Sequence, residues 1–213
     1  MPDICTLDDK LAKKINDFLD SDYIFTVNAG NSYTIEEEKE EGRAFIECTV
    51  ASDSVFVKNA DKKVFSFLDV NGRNDCRKCA DAYIFVSNDV GELDINVIEI
   101  KKTVNLGRWR EIQKQLEMGL YNAQSIMGFL GASATENVNF YVALQKDIIP
   151  SFNIEGFTNK SLIELRATNG LLVKDNEDMR NWHCNRLRLS NDGNIYNFNK
   201  ILLNNLGYGT LEC

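Results

Sequence analysis

The chain has 213 residues, 44% of them hydrophobic and 26% charged, enough apolar material to bury a core without disulfide or metal staples. Its net charge of −8 excludes a protein that grips polyanions by bulk charge, so any contact with nucleic acid has to be local. Acidic residues stand in MPDICTLDDK where a leader needs a basic, apolar start, and no run approaches the roughly 20 apolar residues of a membrane span. The expectation is therefore a cytoplasmic protein with no membrane partner, its six cysteines free thiols.

In chain order, Leu7, Leu11, Ile15, Phe18 and Leu19 fall at spacings of three and four and predict an amphipathic first helix over 7–19. The five glutamates crowded between Ile35 and Arg43 read as a solvated helix face or loop. From Ala44 the pattern becomes that of strands. AFIECTV, SVFVKN and KKVFSFLDV are short, β-branched and aromatic, and DAYIFVS and INVIEIKKT follow on either side of the polar NDVGELD, so an antiparallel meander is expected.

Trp109, Ile112, Leu116, Leu120, Ala123, Met127 and Leu130 recur at helical spacing and predict a long helix over 108–130, with VNFYVAL as the strand after it. Helix, strands, long helix, strand is the order of an α/β fold with a central mixed sheet flanked by helices. The core is assigned to 1–150 and a C-terminal elaboration packed on it to 151–213. There SLIELRA reads as a strand or short helix, and LRLS and NIYNF around Asn191-Asp192-Gly193 predict a β-hairpin.

The chemistry-bearing residues sit in the DAYIFVS–INVIEIKKT hairpin. If the chain reverses about Val90, Asp81 lies across from Glu99, with Lys101 two residues further on. Glu99 and Lys101 then share one face of the strand, while Ile98 and Ile100 occupy the other. Two carboxylates are hard oxygen ligands suited to Mg2+ or Mn2+, and the Ile100 carbonyl between Glu99 and Lys101 can add another. A lysine beside such a metal can orient or deprotonate water, or stabilise charge growing on a phosphate; without metal it simply pairs with the carboxylates.

The pattern of Asp81, a hydrophobic strand, a turn, Glu99-Ile100-Lys101 and a following helix carrying Gln115 resembles the PD-(D/E)xK nuclease superfamily over roughly residues 44–145. Ala80 stands in place of the proline of the motif. The resemblance implies a restriction-endonuclease-like core in which Asp81 and Glu99 hold the metal, Lys101 serves the nucleophilic water and Gln115 lines the site. It implies a nuclease acting on nucleic acid, with DNA as the expected substrate and a homodimer suited to double-strand cutting; the alternative is a non-catalytic module of that fold that binds nucleic acid or a protein. An upstream acid is also implied, for which Glu47, Asp9 and Glu41 are candidates without a clear placement.

Other signals are weaker. Cys76-Arg-Lys-Cys79 is half a zinc site without a second half. His183 is the single histidine, which leaves no histidine pair for a zinc hydrolase. Arg73, Arg77 and Lys78 before Asp81, and Arg108, Arg110 and Lys114 at the start of the long helix, are candidate phosphate contacts. Arg180, Arg186 and Arg188 surround Trp182, whose ring could stack on a base or lie in the core.

Overall fold

The computed structural model describes residues 7, 9–39, 42–62, 78–132, 134–150, 170–190 and 193–213. The first helix, α1 (Asp9–Phe18), buries Ile15. Leu11 and Leu19 are half-buried beside it, whereas Phe18, expected on the same face, is 70% exposed. The strands that follow are β1 (Ile24–Val27), β2 (Ser32–Lys39), β3 (Gly42–Thr49) and β4 (Ser54–Lys58). A 3-10 turn at Ala60–Lys62 closes that run.

The predicted hairpin is β5 (Ala82–Ser87) and β6 (Leu93–Val104). Its register pairs Ala82 with Ile98 and Tyr83 with Val97, as expected for a reversal about Val90. The Asn88 side chain fixes that reversal by accepting from the backbone N–H of Val90 (3.1 Å) and Glu92 (3.0 Å), a local hydrogen-bonded device typical of asparagine in turns. Gly91 supplies the positive φ (77°) that the turn requires.

The long helix is α2 (Leu106–Leu130), N-capped by Asn105, whose side chain accepts from Arg108 N at 2.8 Å. It ends at Gly131 in the left-handed conformation. Lys14 Nζ, from α1, donates to the Leu130 carbonyl at 2.6 Å and ties the two helices together at that end. After α2 come β7 (Ala134–Asp147), α3 (Gly170–His183), β8 (Arg186–Arg188), β9 (Ile195–Leu202) and β10 (Tyr208–Glu212).

Among the described residues the strands form two sheets. The larger has the order β1-β4-β5-β6-β7-β9-β8 and the smaller β10-β3-β2. Strands β4, β5 and β6 are an antiparallel meander, and α2 then returns the chain so that β7 lies parallel to β6, the connection a parallel pair needs. The result is an α/β fold with a large mixed sheet.

Both faces of that sheet are covered, which is why β5 and β6 read as nearly continuous apolar runs. Val55, Tyr83, Phe85, Ile95 and Val97 meet Ile15 of α1, Trp109 to Leu130 of α2 and Trp182 of α3 in one core. Phe56, Ala82, Ile84, Ile98 and Ile100 meet Ile35, Ile46, Cys48 and Leu211 of the smaller sheet in the other. The described helices therefore pack on one face only, and a second sheet, not helices, covers the opposite face.

Two expectations are corrected here. The described part of the glutamate run, Glu36 to Lys39, is strand, not helix or loop: β2 pairs antiparallel with β3 from Ser32↔Thr49 to Lys39↔Gly42. Ile35 and Glu37 alternate inward from it and both are buried, so pairing and burial override the weak local preference of glutamate for strands. AFIECTV, in turn, leaves the meander and joins the smaller sheet, where β10 adds alongside it in parallel.

The LRLS–NIYNF hairpin forms with Arg186↔Asn197 and Arg188↔Ile195 in register. Asn191 and Asp192 of its turn lie outside the described residues, as do SLIELRA, nearly all of KKVFSFLDV, and Arg73, Cys76 and Arg77. The C-terminal segment contributes to both sheets, since β9 pairs parallel with β7 and β10 with β3. Among the described residues no helix is long and apolar enough to cross a membrane.

Candidate active site

Asp81 sits one residue before β5, next to the Ala82↔Ile98 pair, and so continues the hairpin register to a position facing Glu99. Its Oδ2 accepts from the Ile100 backbone N–H at 2.7 Å. Lys101 Nζ forms an ion pair with Glu99 Oε1 and lies 3.3 Å from the Ile100 carbonyl oxygen. Asp81, Glu99, the Ile100 backbone and Lys101 are thereby brought together as the sequence spacing anticipates.

Alternation fixes the face they share. Val97 points to the helix side and Ile98 and Ile100 to the smaller sheet, so Glu99 and Lys101 point toward α2. They are not an exposed ladder: the relative exposure is 0% for Glu99, 3% for Asp81 and 8% for Lys101. Burial makes the Lys101–Glu99 contact a necessity, because an ionised carboxylate out of water is costly unless paired.

The helix approaches this floor unusually closely. A Cβ on Gly119 would stand 2.8 Å from both Ala80 Cβ and Val97 Cγ1, so only glycine lets α2 rest on the hairpin at that point. Gln115 is half-buried one turn earlier on the same helix face. Because α2 runs back along β6, one helical turn of about 6 Å equals roughly two strand residues. The Gln115 position is therefore level with Glu99.

Several further polar groups lie close to Asp81 in the chain or through its backbone, and of these only Cys79 drew a reading from the sequence. The Ala60 N–H donates to the Asp81 backbone oxygen at 3.0 Å, which brings the neighbouring Asp61 to the site with its Oδ1 buried. Asn122 Nδ2, from α2, donates to Cys79 Sγ at 2.9 Å. Burial pushes the Cys79 thiol up from 9.0 to about 11, and the charges of Asp61 and Glu99 push in the same direction. Tyr83 is raised well above its usual value, chiefly by burial. Asp61 had no sequence signal beyond its place just after SVFVKN, since its approach to Asp81 depends on how the chain turns after β4.

An apolar cavity of about 400 Å³ lies beside this cluster, between α1 and α2, and reaches Tyr83 and Asn122. No family model, curated protein or solved structure matches the chain.

Two of the three candidate upstream acids, Glu47 and Asp9, do not join it. Glu47 alternates outward from Ile46 and Cys48, away from the large sheet, and accepts from Tyr208 OH at 2.6 Å. Asp9 is exposed at the start of α1, and Glu41 lies outside the described residues. Among the described residues, no group of three or more His, Cys, Asp or Glu side chains is disposed to share one ion. A hard cation is nonetheless compatible with the donors present, since Mg2+ commonly takes one or two carboxylates and fills its remaining positions with water or phosphate oxygens. Here those donors are Asp81, Glu99 and the Ile100 carbonyl.

The basic groups are dispersed. Arg108 pairs with Glu111 at 2.8 Å, and Arg110 with the buried Asp178 of α3 at 2.5 Å. Lys114 is exposed on α2, and Lys78 is exposed just before Cys79. Trp182 is not a stacking platform: it is fully buried, its ring centroid 5.0 Å from that of Trp109, and its Nε1 donates to Asp147 Oδ2 at 2.8 Å. A large aromatic with a single donor is best satisfied in a core when that donor finds a carboxylate. His183 is exposed, with Nε2 2.9 Å from the Pro150 carbonyl oxygen.

Proposed function

We propose that this chain is a metal-dependent nuclease that hydrolyses phosphodiester bonds in nucleic acid, with DNA as the expected substrate, on a restriction-endonuclease-like core. The observation that carries the reading is the Asp81–Ile100 hydrogen bond, which sets one carboxylate opposite Glu99 and beside the Ile100–Lys101 backbone. The β4-β5-β6 meander, the α2 return and the parallel β7 support the reading.

Asp81, Glu99 and the Ile100 carbonyl would hold Mg2+ or Mn2+, which when bound polarises the phosphoryl group and makes a water more acidic. Lys101 holds its protons between Glu99 and the Ile100 carbonyl, so it is positioned to orient an attacking water and to stabilise charge that develops on a phosphoryl oxygen. Gln115 contributes a neutral donor and acceptor from the helix side. Gly119 lets α2 close over the floor, and the apolar surroundings exclude bulk water and strengthen each of these electrostatic contacts.

The burial of Glu99 favours a second reading, a non-catalytic module of the same architecture in which Glu99 and Lys101 form a structural ion pair. Cleavage of plasmid and single-stranded oligonucleotide with added Mg2+ or Mn2+ separates the two. The enzyme reading expects cleavage by the wild type, abolished by Lys101→Ala and by Asp81→Asn, with circular dichroism reporting folding. Asp81→Asn keeps an acceptor for the Ile100 N–H while removing the charge. Nucleic-acid binding without metal-dependent cleavage overturns the enzyme reading in favour of the module.

A further inference from the structure

We propose a phosphate-binding cleft on the opposite face of the same strand end. It is a cavity of about 380 Å³ lined by Arg43, Lys102, Gln145, Lys146 and the turn Asn205–Gly207. Three cationic side chains and no acid line it, in a chain whose net charge is −8. Such local concentration is what an acidic protein needs to hold a phosphate-bearing ligand.

The cations come from three strands. Lys102 follows Lys101 on β6 but points to the smaller-sheet side by alternation; on β7, Leu144 is in register with Lys101 and Lys146 with Thr103, so Gln145 between them is level with Lys102, and Lys146 lines the cleft from the next position. Arg43 is contributed by β3. Lys102, Lys146 and Arg43 are all exposed. Glu36 stands 3.9 Å from Arg43 Nε, an exposed pair that solvent screens and that an incoming phosphate can exchange at little cost.

The wall of the cleft is built before any ligand arrives. Gln145 Nε2 donates to the backbone oxygens of Asn204 and Asn205, both at 2.9 Å. Asn204 Oδ1 accepts from Leu206 N at 2.8 Å and Tyr208 N at 3.0 Å. Gly207 adopts φ +81°, and a Cβ there would lie 2.4 Å from the Arg43 carbonyl oxygen. Turn, Gln145 and the Arg43 backbone thus lock one another, so the wall that carries the cations is fixed and a phosphate has only their side chains to order.

The ligand chemistry is a phosphate group, supplied either by a nucleic-acid strand or by a free phosphate or mononucleotide. The inference stands apart from hydrolysis at Glu99, since Lys102 and Lys146 belong to no part of that machinery. The test uses full-length protein in EDTA. Fluorescence anisotropy follows a labelled single-stranded oligonucleotide across a salt series, and calorimetry follows inorganic phosphate and AMP.

Wild type is compared with the double variants Lys102→Gln/Lys146→Gln and Lys102→Arg/Lys146→Arg. If a strand is the source, the Gln variant weakens binding about tenfold or more and flattens the log–log salt slope by about 1.4, two phosphate contacts on a single strand. The Arg variant restores both quantities. If phosphate or AMP binds instead and the Gln variant abolishes it, the cleft is a free-phosphate site. Equal binding by wild type and the Gln variant, or no binding of any of the three probes, overturns the proposal. A loss of cleavage in Asp81→Asn with oligonucleotide binding intact separates failure at the carboxylates from failure at the cleft.

Discussion

Two neighbouring lysines on β6 live under opposite rules. Lys101 faces α2, is 8% exposed and is held by the fully buried Glu99, whereas Lys102, one residue on, opens to a cleft shared with Arg43 and Lys146. On the buried face a charge persists only because a partner balances it, so each member is indispensable to the other. On the open face water solvates and screens each cation, so a contact there is exchanged at little cost. A single strand can thus carry a fixed polar cluster and an adaptable binding surface because alternate residues meet different media.

The sharpest way to break this contrast is to remove one member of the buried pair. Lys101→Met should lower unfolding free energy by about 3–5 kcal/mol, because Glu99 is left buried without its counter-charge. Adding Glu99→Leu should recover most of the loss, and a urea-denaturation double-mutant cycle measures the coupling. Additive losses in that cycle would mean that the two side chains do not depend on one another.

Alkaline titration probes the same face. Cys79 is raised from 9.0 to about 11, so the folded state holds that proton more tightly than the unfolded one. The associated stability is fully present below pH 9 and is lost as pH rises through about 11, a change of roughly 2–3 kcal/mol. Tyr83 and Tyr141 are raised too, mainly by burial, and act in the same direction. Denaturation midpoints should fall between pH 9 and 11 more steeply in the wild type than in Cys79→Ala. The thiol of Cys184, exposed on the surface, should react with iodoacetamide well before that of Cys79.

Gly119→Ala tests how closely α2 must sit on the hairpin. The new methyl would overlap Ala80 and Val97, and overpacking of this kind costs about 1–3 kcal/mol. A thermal melt reads that cost, and an unchanged melting temperature would show that the helix can lift at no expense. The smallest expected effect closes the comparison: Lys102→Gln and Lys146→Gln should each shift stability by no more than about 0.5 kcal/mol, as solvated surface changes do. A larger loss in urea denaturation would place these lysines among the groups that hold the fold together.

Local pattern carried the hairpin and the long helix. The facing of Asp81 and Glu99 followed from counting residues along strands of period two, and α2 followed from apolar spacing; the Asn88 and Gly91 turn, the Asn105 cap and the Gly131 stop are what the structure adds. These features depend on near neighbours, and near neighbours are what a sequence displays. The remaining features depended on partners far along the chain. Ile35 and Glu37 turn inward only because β3 lies beside them and β10, more than 150 residues later, pairs with β3 on its other edge.

The same dependence governs the chemistry. Composition and spacing gathered Asp81, Glu99 and Lys101, but could not tell an exposed ladder from a buried cluster, because burial is set by the distance at which α2 packs, and that distance is fixed by Gly119 against Ala80 and Val97. Trp182 was ambiguous until Trp109, Phe198 and Asp147 enclosed it. Asp61, and the cleft of Arg43, Lys102 and Lys146, are assembled by the return of distant strands. Sequence alone determined which residues alternate and where the chain reverses; only tertiary packing decided which of those charges lost their water, since solvation belongs to the assembled surface and not to any one segment.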